Sequence, residues 1–129
     1  MLEQPSSIPL GLRVELSRAR VQSGKSDLTD EWMAMLNERV DECVATLDRE
    51  KMALELVFRR AEDDGEWIYW VSIYGPGGAG LDESVPIDRD HVAYGRQCKT
   101  PGWDEATPQF FLAPESVRNA IVSWATSNR

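Results

Sequence analysis

The chain has 129 residues, a length that suits one domain. Hydrophobic residues make up 42% and charged residues 28%, which predicts a packed core and excludes wholesale disorder. The 14 basic and 22 acidic side chains give a formal charge of −8, a field that repels nucleic-acid phosphates and anionic lipid heads, so neither is an expected partner.

No stretch approaches the roughly 18 apolar residues of a membrane span. The opening MLEQPSSIPLG lacks the basic patch and long apolar segment of a secretory signal. It reads as a flexible leader over residues 1–11, before one domain over residues 12–129. Cys43 and Cys98 form no Cys-x-x-Cys pair, and the expected compartment is the reducing cytoplasm, with free thiols. His91 is the only histidine, so neither a closed zinc site nor any other metal site is expected.

In chain order, Leu12 to Val21 alternates as a strand. Its apolar positions change parity between Leu16 and Ala19, which predicts a bulge or a change of exposure near Ser17. A turn at Gln22–Asp27 leads into one helix from Leu28 to about Glu50, capped by Thr29. Met52 to Arg60 is the second strand. Met52, Leu54, Leu56 and Phe58 share its more apolar face, and Ala53, Glu55, Val57 and Arg59 share the other. A hairpin loop at Ala61–Gly65 precedes a third strand, Glu66 to Tyr74, which is apolar on both faces. Gly75 to Pro86 is a glycine-rich loop. A helix follows from Asp88 to Cys98, then an irregular stretch from Lys99 to Thr107, a last strand at Pro108–Leu112, and a terminal helix opened by Pro114.

The order β-α-β-β-α-β with an extra helix predicts an α+β, ferredoxin-like fold with an antiparallel sheet and helices on one face. Strands that are apolar on both sides need a cover on the open face. A second copy packed sheet to sheet, forming a dimeric α+β barrel, is the expected cover. The alternative is the C-terminal helix folded across the sheet.

The segments RVELSRARVQSGKSD, TDEWMAMLNERVDE, DREKMALELVFRR, GEWIYWVSIYG and IDRDHVAYGRQC resemble an uncharacterised bacterial domain family, over roughly residues 12–118. That family is similar to dimeric α+β-barrel proteins, the superfamily of antibiotic-biosynthesis monooxygenases, EthD-like proteins and stress-responsive barrels. Its third-strand aromatics match Trp67, Tyr69 and Trp70, and its Asp-x-x-His-x-x-Tyr helix segment matches Asp88, His91 and Tyr94. An aromatic often follows that tyrosine in the family, where this chain has Gly95. The KTPGWDEATP stretch also departs from the pattern. The resemblance implies a homodimer. It also implies cofactor-independent chemistry, since monooxygenases of the superfamily use no cofactor and act on anionic polycyclic aromatics.

Three groups are candidates for chemistry. His91, with Tyr94 on the same helical stripe, suits a general acid or base; the alternative is a core histidine. Glu55 and Arg59 share a strand face that would line a barrel interior, where they would act on a polar substrate group; the alternative is a structural ion pair. Trp67, Tyr69, Trp70 and Tyr74 suit the wall of a pocket for an aromatic or hydrophobic metabolite; the alternative is core packing. The expected activity is proton transfer, oxygenation or cyclisation, catalysed by His91, Glu55 and Tyr94 on a substrate held by Arg59 and the rings. The competing expectation is a non-catalytic binding or structural dimer. GPGGAG at 75–80 lacks the Lys-Ser or Lys-Thr of a phosphate loop and reads as a connector or a lid.

Overall fold

The computed structural model describes residues 4–127. The elements are β1 (Arg13–Arg20), α1 (Ser26–Glu38), α2 (Val40–Glu50), β2 (Met52–Glu62), β3 (Gly65–Tyr74), α3 (Pro86–Cys98), β4 (Asp104–Ala106) and α4 (Glu115–Thr126). The four strands form one antiparallel sheet in the order β2-β3-β1-β4, so the fold is α+β.

The sheet has two different faces, set by strand alternation. Ala19, Ile68, Trp70 and Val57 face α1 and α3, where Trp32 and Cys98 complete a buried cluster with Val21. Val14, Leu54 and Ile73 point the other way and meet α4 through Ile121, Val122, Trp124 and Ala125. Ile8 and Leu12 join this second cluster at 7% and 4% exposure. Within the stretch read as a flexible leader, Gln4 and Ile8 are thus held against the domain, while Leu10 is 97% exposed. The Gln4 side chain donates to the Leu12 carbonyl and accepts from the Val14 N–H.

α4 covers only one end of the far face. Leu16, Leu56 and Phe58 remain 40%, 50% and 55% exposed there. The C-terminal helix is therefore a partial cover.

Several expected boundaries move. The long helix is two helices, separated at Arg39 with φ −112° and ψ 33°. No proline or glycine marks that break. The Arg39 guanidinium grips Glu42 one turn ahead and Asp90 of α3 at 2.6 Å. Thr29 is not the cap. It is fully buried in the first turn of α1, and its hydroxyl donates back to the Lys25 carbonyl at 2.8 Å.

β1 carries no bulge near Ser17, because its register against β3 is unbroken from Arg13↔Tyr74 to Arg20↔Trp67. The parity switch reflects burial on opposite faces at the two ends of the strand. The irregularity lies in β2, between Met52 and Leu54. The last strand is Asp104–Ala106, pairing with Leu16–Arg18, and not Pro108–Leu112. Pro108 has no N–H for a ladder. β4 is short, polar and fully exposed, so it carries no hydrophobic signal.

Candidate functional site

The helix layer does not seal onto the sheet. Between them lies a cleft of about 1100 Å³ that opens to solvent. That is at or above the roughly 300–1,000 Å³ common for ligand pockets. Ser17 and Ser72, small side chains on the helix-facing side of the sheet, are part of its lining. Val40 and Val44 of α2 line the cleft and stay 53% and 58% exposed.

One wall is a cluster of rings. Trp32 of α1 and Trp70 of β3 lie 5.6 Å apart between centroids, and His91 of α3 is 5.4 Å from each. Trp103, in the loop before β4, meets Trp70 edge-on at 5.8 Å and remains 42% exposed at the rim. The indole N–H of Trp32 donates to Nδ1 of His91 at 2.9 Å. An indole only donates, so Nδ1 is the acceptor and the neutral ring carries its proton on Nε2. Burial pushes the His91 pKa below its ordinary value, opposed by the Asp88 charge. The histidine is therefore neutral at physiological pH.

The floor is acidic. Glu55 accepts a hydrogen bond from the Trp70 indole N–H. Its carboxyl is reached by water through the cleft while protein surrounds the rest of it. This desolvation raises its pKa, with a further push from Asp88, against the pull of the Trp70 bond. Glu50, 8% exposed at the end of α2, is raised by desolvation and then by Asp88 and Glu55. Asp88, 3% exposed, accepts from Arg49 at 2.6 Å and from the Asp82 backbone N–H at 2.9 Å. It ties α2, α3 and the glycine-rich loop into one rim. Tyr74 also lines the cleft, and desolvation raises its pKa.

The loop from 75 to 85 is anchored at its start. The Gly75 N–H donates to the Lys51 carbonyl at 2.7 Å, and the Ala79 N–H to the Arg49 carbonyl at 3.0 Å. A side chain at Gly78 would overlap the Glu50 carbonyl. Only Ala79, Gly80 and Leu81 of the loop border the cleft.

Four of the expected residues, His91, Glu55, Trp70 and Tyr74, line this one cleft. The other four do not. Tyr94 packs against the buried cluster on another side of α3. Arg59 binds Glu66 at 2.6 Å and also Asp30 and Ser26, clamping the hairpin to the start of α1. Trp67 lies on the opposite sheet face, with the Arg18 guanidinium 3.8 Å above its ring. Tyr69, on that same face, bonds Glu62.

The face shared by Glu55 and Arg59 also turns toward the chain's own helices, and not toward the open side. Trp32, Trp103, Glu50 and Asp88 are site residues that the sequence reading did not assign. Trp32 sits on the apolar stripe of α1, and that stripe reads equally well as core. Cys43 and Cys98 are free thiols, half-buried and buried respectively. Among the described residues no cluster of three or more His, Cys, Asp or Glu side chains is arranged to hold a metal, and no helix is long and apolar enough to cross a membrane.

Fold and site together define a small α+β domain with a ring-lined, acidic cleft between its sheet and its helices. Residues 12–119 match the model of DUF6176, a family of unknown function, and the chain belongs to that family. No curated protein and no solved structure matches it.

Proposed function

We propose that the chain binds a small molecule with an apolar, planar ring in this cleft and moves a proton on it. Glu55 is the acid-base group, and His91 is a neutral hydrogen-bond donor through Nε2. The observation that carries this reading is Glu55 itself. A carboxyl held by one indole N–H, raised in pKa by its surroundings and open to the cleft is suited to give and take a proton. Trp70 is in a position to orient that carboxyl, and Trp103, exposed at the rim, to meet a ring. Proton transfer needs no prosthetic group, so no cofactor is part of the proposal.

The test is hydrogen exchange. The full chain is incubated in heavy water with a panel of aromatic carbon acids, and deuterium uptake by each compound is read by NMR. Uptake that Glu55→Gln abolishes, with binding retained, is the expected result. Binding without uptake would favour the non-catalytic carrier. No binding in the cleft would retire both.

The fold is read here as ferredoxin-like, and the active form as a sheet-to-sheet homodimer. The strand order taken from the far edge, β4-β1-β3-β2, with helical crossovers after β1 and β3, supports the first reading. The exposed Leu16, Leu56 and Phe58 on the uncovered face support the second.

A further inference from the structure

We propose that the ligand of this cleft carries a cationic group, an amine or an amidine on an apolar body, seated between Glu50 and Glu55. This deepens the reading of the cleft as the ligand site and rests on it.

The carboxylates of the floor outnumber their counter-charges. Arg49 is the cation closest to them, and its short bond goes to Asp88 at 2.6 Å. Its distance to Glu50 is 3.7 Å. The Thr46 hydroxyl lies 3.4 Å from Glu50, but its single hydrogen is directed to the Cys43 carbonyl at 2.8 Å. Glu50 is therefore 8% exposed, and the contacts it has among the described residues are long, 3.4 Å to Thr46 and 3.7 Å to Arg49. Glu55 has the Trp70 N–H and no cationic partner among them.

The remaining charged groups on the cleft lie nearer its edge. Glu15 is bound to Arg13 at 2.7 Å, and Glu105 is exposed on β4. Arg96 leans on Glu83 at 3.4 Å, and Lys99 sits 4.4 Å above the Trp103 ring.

An anionic ligand would enter a floor already crowded with negative charge, where Asp88 and Glu55 raise the proton affinity of Glu50 and Asp88 that of Glu55. A cation relieves that repulsion and takes charge-assisted hydrogen bonds. Met33, Leu36, Val40 and Val44 offer the apolar body a surface leading outward.

Three probes with one ring system test the inference: naphthylmethylamine, naphthylmethanol and naphthoic acid. Each is titrated into the full chain at neutral pH and read by calorimetry. The amine is expected to bind at least about tenfold tighter than the alcohol, with the acid weakest. Glu50→Gln and Glu55→Gln should each narrow the amine-to-alcohol ratio. Equal or tighter binding of the alcohol overturns the cationic assignment and leaves the cleft reading standing. An unchanged ratio in both variants also overturns it. Failure of all three probes to bind removes both readings together.

Discussion

Trp32 and His91 are joined across the helix layer by one hydrogen bond, 2.9 Å from the indole nitrogen to Nδ1. It fixes the tautomer of the only histidine and favours its neutral form. The folded pKa lies below the ordinary value of about 6.5, so the unfolded chain binds the proton first as pH falls. Stability from this group is present above about pH 6.5 and is lost as pH drops from there toward the folded pKa. Trp32→Phe removes the donor. The His91 ring resonances are expected to titrate at higher pH in that variant, with a stability loss of about 1–3 kcal/mol from the altered core contact. An unmoved titration would mean that the bond does not set the protonation state.

Glu50 has the opposite sign. Its folded pKa is raised, so its favourable contribution is fully present below the unfolded value of about 4.3 and is lost as pH rises through the folded pKa. Glu50→Gln keeps the shape and removes the charge. Its melting temperature should match the native chain in acid and exceed it by roughly 2–4 °C at neutral pH. A variant less stable at neutral pH would show that the carboxylate has a partner worth more than its desolvation.

Asp88 is where three segments meet. Asp88→Asn weakens the Arg49 contact and the tie to the Asp82 N–H. The expected loss is about 2 kcal/mol, below the roughly 3–5 kcal/mol of fully buried pairs because Arg49 is 33% exposed. Limited proteolysis should then cut first within 79–84. Unchanged melting and unchanged cleavage would refute the role of Asp88 as the anchor of this rim.

Phe58 and Leu56 report on assembly. If two copies pair through the uncovered sheet face, Phe58→Glu places a charge in the interface, and sedimentation should shift from dimer to monomer. A native chain that sediments as a monomer would contradict the pairing outright.

Much of this arrangement was legible in the residues. The alternation of β3 separates Trp70 from Trp67 and Tyr69, and the structure keeps them on opposite faces. What parity alone does not give is which face meets the helices. The more apolar set of β2 carries Leu56 and Phe58, residue types that favour burial. It is instead left largely open, while the set with Glu55 turns inward. Burial normally follows hydrophobicity, so this inversion marks both an inner cleft and an outer surface that lacks a cover. The break at Arg39 left no trace because no proline, glycine or capping side chain marks it. β4 left none because an exposed, polar edge strand has no hydrophobic period. Trp103 stood in a stretch without periodicity, and only its meeting with Trp70 reveals its place in the wall.

The five tryptophans make the central claim directly measurable. Trp32, Trp70 and Trp103 line the cleft, whereas Trp67 and Trp124 belong to the other side of the sheet. The decisive measurement is the shift of the five indole N–H resonances during titration with naphthylmethylamine. Movement of Trp32, Trp70 and Trp103 alone is the predicted result. No movement, or movement confined to Trp67 and Trp124, would contradict a ligand site between the sheet and its helices.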